Sequence, residues 1–358
     1  MKKTLVALAV TAFAASASAV TIYDNDGTSI NFDGSLRFIM EEAGTTTKTA
    51  NGVKSGQTRS NLRNADTRIA LRVKHDINED LFAFARTELR FDGVNSSRDK
   101  FGDIYTKRAY VGLGSKQFGE VTFGRQLTIA DDYGLTKDYE YGMIPKGKYI
   151  ETAGNSVVRY DYKGIEGLQV GANYNFAQSE NDKGGALKTP IKNAYGIGAT
   201  YETEVAPAQT LFVKGGYGHT NYETHANYKH RKDGVIFSLG YKVENLTLVH
   251  EAGYKFEKED ELKTHGFYVS PGVIYQVTPA VSVYGNYIYE RLKSKEHDVD
   301  VSKSKTHGFL AGADYKFHKQ VVAFVEGSHK QTKSYTGSST YTGKEIDKAI
   351  GVGMRVYW

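Results

Sequence analysis

The chain has no cysteine, and its 358 residues include only 5 prolines and 1 tryptophan. Without cysteine there is neither a disulfide framework nor a lipid-anchoring thiol, so an exported chain must be held by a large core or a closed hydrogen-bonded barrel. Long apolar runs are missing too. Beyond the first 19 residues nothing approaches the roughly 18 to 20 apolar residues of a membrane helix. Stretches that keep a 3.6-residue apolar period through three turns are scarce, which argues against a helical domain. No sign of charge dominates: 46 Lys+Arg face 41 Asp+Glu, a surplus too small to point to nucleic acid. The mean hydropathy of −0.48 suits a soluble protein, and equally a barrel in which only alternate residues meet lipid.

What is present begins with a leader. Lys2 and Lys3, the apolar Leu5 to Phe13, and Ala17-Ser18-Ala19 form the charged, apolar and small-residue parts of a signal peptide, 1–19. Cleavage there leaves 20–358 as one domain. Its 26 Tyr, 17 Phe and 38 Gly favour strands, and tyrosine suits a membrane interface. Apolar residues alternate with polar ones in Ile30–Phe38 and in Asp66–Lys74, where Ile69, Leu71 and Val73 share one face and Asp66, Arg68, Arg72 and Lys74 the other. A packed core cannot bury so many charges cheaply. An inside-out barrel, with lipid on the apolar face and water on the charged one, resolves the conflict.

Sixteen such segments run from 28–41 to 348–358, most of about 10 to 13 residues, enough for a tilted membrane strand. Short turns alternate with long loops near 42–63, 92–102, 128–154, 178–190, 220–233, 258–263, 293–304 and 332–347. The expected fold is therefore all-β, a 16-stranded antiparallel transmembrane β-barrel with both termini at one end. The last strand ends in Val352, Met354, Val356 and Trp358 on one face. A terminal aromatic resembles the signal read by the barrel-assembly machinery.

Rival classes fit poorly. Enzymatic barrels are smaller and carry a Ser/His or Asp/His constellation that does not stand out here. A plugged receptor needs an N-terminal domain, yet the first strand starts soon after the leader. His219, His225 and His230 fit no common metal-ligand spacing, and no cofactor is called for. Tyr133, Tyr139, Tyr141 and Tyr149 suit either sugar stacking or packing of loop 128–154 against the wall.

Lys107-Arg108-Ala109-Tyr110-Val111-Gly112-Leu113-Gly114 followed by Phe118-Gly119-Glu120-Val121-Thr122-Phe123-Gly124-Arg125-Gln126 resembles the Gram-negative general porins. The opening Ile22-Tyr23-Asp24-Asn25-Asp26-Gly27 agrees, and the whole is most similar to the major porins of the Haemophilus and Pasteurella group. The resemblance implies a trimeric outer-membrane channel for small hydrophilic solutes and ions, set among outer-membrane lipids and lipopolysaccharide. A channel selective for a sugar or nucleotide is the alternative on the same barrel. It also implies that loop 128–154 folds into the lumen as a constriction, its Asp131, Asp132, Asp138, Glu140 and Glu151 facing a basic wall. Arg68 matches the wall motif best, and Arg37, Arg72, Arg86, Arg108 and Arg159 share the inward parity. Either Lys107 or Arg108 is the inward residue of its strand, and Arg125 requires a bulge at Gly124 or a place at the membrane rim.

Overall fold

The computed structural model describes residues 19–93, 101–224 and 228–358. The leader, but for Ala19, and His225 lie outside the described residues.

Sixteen spanning strands form one closed antiparallel sheet. The strand Thr28–Thr49 pairs on one side with Lys54–Asn64 and Arg68–Asp76, two pieces of one broken strand, and on the other with the final strand Thr340–Tyr357. That last pairing closes the barrel, so no sheet edge is left open in lipid. Where the final strand stops, Trp358 and Gly34 exchange backbone hydrogen bonds at 3.0 and 3.2 Å, and the short strand Val20–Asn25 takes up the pairing with residues 28–32. The two ends of the chain thus meet on one seam.

Alternation decides what faces where. Along Val281–Glu296, Ser282, Tyr284, Asn286, Ile288 and Glu290 are buried inside, while Val283 on the opposite face is exposed. Leu36, Phe38, Met40, Val352 and Met354 are likewise exposed, on the outer surface. An apolar exterior over a polar interior is what lipid outside and water inside require.

Several expected long loops are not loops. The strands continue to Glu259 and resume at Leu262, continue to Glu296 and resume at Val299, and continue to Thr336 and resume at Thr340. The first hairpin likewise extends to Thr49 and returns from Lys54. The end of apolar alternation marks where lipid ends, whereas the hydrogen-bond ladder continues into water with polar residues on both faces. His297 and Asp298, at φ of 48° and 63°, make a tight two-residue turn of the primed type.

The segment 128–152 behaves differently. It holds a 3-10 helix, Ile129–Tyr133, and a four-residue helix, Lys146–Tyr149. Its Ile129, Ala130, Tyr133, Tyr149 and Ile150 pack on the inward-facing Ile236, Tyr268 and Ile288. Tyr139 and Tyr141 pack on a second patch, Ile39, Ala65 and Phe324. The loop therefore lies inside the barrel. Glycines on the wall make room for it: a Cβ at either Gly198 or Gly216 would collide with the Tyr133 hydroxyl.

Candidate functional site

One stretch of the lumen wall, which the loop touches at Arg355, is a ladder of guanidinium groups built by register. Arg355 stands across from Arg37, Ser35 from Arg68, Arg68 from Arg90, Arg72 from Arg86, and Glu88 from Arg108. Seven arginines thus share the inner face of five adjacent strands. Like charges at this density need counter-charge and water. Glu88, wholly buried, supplies most of it, lying 2.6 Å from Arg86, 2.6 Å from Arg90, 3.5 Å from Arg108 and 4.0 Å from Arg68. Asp66 pairs with Arg68 and Arg90 at 2.6 and 2.7 Å, and Asp33 with Arg72 at 2.8 Å. Arg37 donates to Ser35 Oγ at 2.7 Å and lies over the Tyr357 ring. Asp66 can bridge two arginines because its strand breaks there, at a φ of 70° between the two paired pieces.

Among the sequence-nominated arginines, Arg37, Arg68, Arg72, Arg86 and Arg108 fall in this cluster. Arg159 pairs separately, with Asp161 at 2.6 Å and the loop's Asp132 at 2.7 Å, but lines the same cavity as Arg86 and Arg108. Arg90, Arg355 and Arg63 were not nominated. The first two share the inward parity of Arg86 and of Gly353, so the signal for them was present. Arg108 turns to Glu88 while Lys107 pairs with Asp182 on another loop. Arg125 donates to the carbonyls of Thr106 and Asp182 beside a shift in register at Gly124, whose φ is 133°.

The loop is held by carboxylates of the wall. Glu326 accepts the backbone N–H groups of Tyr139, Glu140 and Tyr141 at 2.7, 2.7 and 2.6 Å. Glu251 accepts those of Leu135 and Thr136 at 2.8 and 2.7 Å. Both glutamates are fully buried, so these are charge-assisted bonds sheltered from water. Lys137 reaches Asp314, and Arg355 donates to the Tyr139 carbonyl. The four tyrosines serve the packing reading: Tyr139 stacks on Phe324 at 4.5 Å, Tyr141 donates to Glu41, Tyr149 donates to Glu290, and Tyr133 is fully buried.

The loop acids divide in two. Asp132 pairs with Arg159, Glu140 with Arg63 at 2.7 Å, and Glu151 with Lys232 at 2.8 Å. Asp131 and Asp138 have no ion pair among the described residues. Asp138 is open to lumen water yet enclosed by the barrel. That enclosure, and then the nearby Glu326 carboxylate, pushes its carboxyl up to about 6. The histidines are structural: His219 contacts Asp233, and His230 contacts Glu257 and stacks on Tyr222. No group of residues suited to a metal ion occurs among the described residues.

Residues 4–335 match the family described as Gram-negative porin. The chain is 28% identical to the major outer membrane protein of Pasteurella multocida (strain Pm70), with all of both chains covered. Among solved structures it superimposes on the trimer form of OmpT, an outer membrane protein of Vibrio cholerae, with a TM-score of 0.65 at 16% identity, covering 93% of this chain and 100% of that one. The anion-selective porin from Comamonas acidovorans gives a TM-score of 0.67 at 18% identity, covering 92% and 100%.

Proposed function

Since the chain belongs to the Gram-negative porin family, and is an outer-membrane channel protein, we propose that it is a general diffusion pore rather than an enzyme, narrowed by loop 128–152 and weakly selective for anions. The observation that carries this reading is the concentration of guanidinium groups on one stretch of the lumen wall. Three of the loop acids are paired, with Arg159, Arg63 and Lys232, although Arg159 and Arg63 are shared with Asp161 and Glu41, and Asp131 and Asp138 carry no ion pair among the described residues. The seven ladder arginines have only three carboxylates as ion-pair partners among the described residues, Asp33, Asp66 and Glu88.

Rings of charge set which ions a wet pore prefers. A solute crossing between ladder and loop meets a transverse field, so a polar molecule turns its dipole and passes. An apolar one displaces ordered water without gaining a contact. The loop tyrosines are engaged with the wall, which favours general diffusion over a sugar-stacking channel. We further propose that the protein assembles as a homotrimer, a state the Vibrio cholerae protein also adopts. The strand ending in Trp358 is assigned to recognition by the barrel-assembly machinery.

Liposome swelling with a size series of neutral sugars tests the diffusion reading. Rates that fall smoothly with size and rise linearly with concentration support it. Saturation by one sugar or nucleotide would replace it with a selective channel.

A further inference from the structure

Between loop 128–152 and the long hairpins the lumen holds an open-sided hollow of about 760 Å³, a volume typical of a small-molecule site. Register builds its wall. Ser328 stands across from Ala349, Ala349 from Ala43, and Ala43 from Arg59. Three small side chains in a row across neighbouring strands thus leave room, and a guanidinium closes the row. One pleat further toward the hairpins the row is Lys330, Asp347, Thr45 and Gln57. That row is satisfied within itself: Lys330 pairs with Asp347 at 3.0 Å, and Thr45 donates to Asp347 at 2.7 Å. Gln57 accepts from Arg59 at 2.7 Å.

The floor of the hollow is the tip of the loop, Met143-Ile144-Pro145, half-buried and apolar. Met143 and Ile144 rest on the packed core of the loop, so this floor is held in place. An apolar surface in a water-filled mouth is wetted at a cost that an apolar solute removes. The charges around it are unbalanced, for five cations and two carboxylates line the hollow. Glu41 is engaged with Arg63, which Glu140 also pairs, and Asp347 with Lys330. Arg59, Lys148 and Lys348 have no ion pair among the described residues. An apolar floor with unanswered cations on both the wall and the loop suits a ligand that has an apolar body and a carboxylate. Neither a neutral sugar nor an inorganic ion uses both.

We propose that the hollow is a binding site for small amphipathic carboxylates. It opens toward the cell exterior, because the long hairpins of such barrels are extracellular. The alkyl body lies between Ala43, Ala349 and the loop tip, and the carboxylate meets Arg59 and Lys148. The site collects these solutes ahead of the arginine ladder. It goes beyond the diffusion reading and rests on the position of the loop, not on whether current flows.

The test is photolabelling of the purified full-length protein in lipid nanodiscs, with hexanoate that carries a terminal diazirine and mapping by peptide mass spectrometry. Label should fall on Met143–Pro145 or on the wall at Ala43 and Ala349, and plain hexanoate should suppress it. Butyrate, two methylenes shorter, should compete about 15-fold more weakly. Hexanol should compete about ten-fold more weakly, and acetate not at all. Arg59→Gln/Lys148→Gln should weaken binding about ten-fold, and Ala43→Leu, which fills the hollow, should abolish labelling. Should Ala43→Leu not fold, the charge variant, altered only at exposed positions, decides the matter. Lys319→Gln, in an exposed turn at the opposite end of the barrel, should label as the parent does. Because the readout needs no current, a barrel that fails to conduct leaves the site intact. Label confined to the lipid-facing surface, competition by acetate or hexanol equal to that by hexanoate, or undiminished labelling of the variants would overturn the proposal.

Discussion

Glu326 Oε1 lies 2.6 Å from the backbone nitrogen of Tyr141, a residue 185 positions earlier in the chain. The same carboxylate also takes the N–H groups of Tyr139 and Glu140. One buried side chain thus fixes the middle of the loop that is proposed to narrow the pore.

Glu326→Ala removes three charge-assisted bonds, each worth about 1.5 to 3 kcal/mol, while Glu251 and Lys137 still tether the neighbouring residues. The loop should detach locally rather than leave the lumen. Single-channel recordings should show higher conductance and more open-channel noise, and Glu251→Ala/Glu326→Ala should exceed either single variant. An unaltered conductance in the double variant would show that the loop does not set the constriction.

Gly198 and Gly216 leave no space for a side chain beside Tyr133. Gly198→Leu or Gly216→Leu should push the 3-10 helix off the wall at a cost of about 1 to 3 kcal/mol and lower the heat-denaturation temperature of the detergent-solubilised barrel. Tyr133→Ala in the same background should restore part of the loss, because the collision is with that ring.

Glu88 offsets four arginines. Glu88→Gln leaves a buried cluster short of its main counter-charge, and breaking a buried pair costs about 3 to 5 kcal/mol. The folded fraction of this variant should shift the reversal potential further toward anions in a salt gradient. Arg68→Glu or Arg90→Glu should shift it toward cations.

Asp138 gives the selectivity a pH dependence. Its folded carboxyl, at about 6, lies above the unfolded value of about 3.9, so between those limits the folded state holds the extra proton. Stability from this group is greatest below the unfolded value and is lost as pH rises through about 6. The neutral form also removes one of two free loop acids, so anion preference should be stronger at pH 5 than at pH 7.5. Asp138→Asn should abolish that difference in reversal potential.

The barrel was legible in the sequence because its strands alternate with period two, and parity pointed Arg37, Arg68, Arg72, Arg86 and Arg159 inward while leaving the choice between Lys107 and Arg108 open. The same rule would have supplied Arg90 and Arg355. Strand ends were not legible, since Lys48 pairs with Lys54 in water where no apolar partner marks the ladder. Nor was the pairing of the loop acids, because Arg159–Asp132, Arg63–Glu140 and Lys232–Glu151 join residues 27 to 81 positions apart. Such contacts depend on how the loop folds back, which no local pattern encodes. The glycines of the wall were counted in composition, but their role in seating Tyr133 needs the register of strands Ala186–Ala206 and Gln209–Tyr222.

The most direct test of the central claim is a planar-bilayer recording of the purified protein in a tenfold potassium chloride gradient. A water-filled pore lined by an excess of guanidinium should give current steps that scale linearly with salt and a reversal potential of the anion-selective sign. Well-folded protein that passes no current, or a strongly cation-selective potential, would contradict the account.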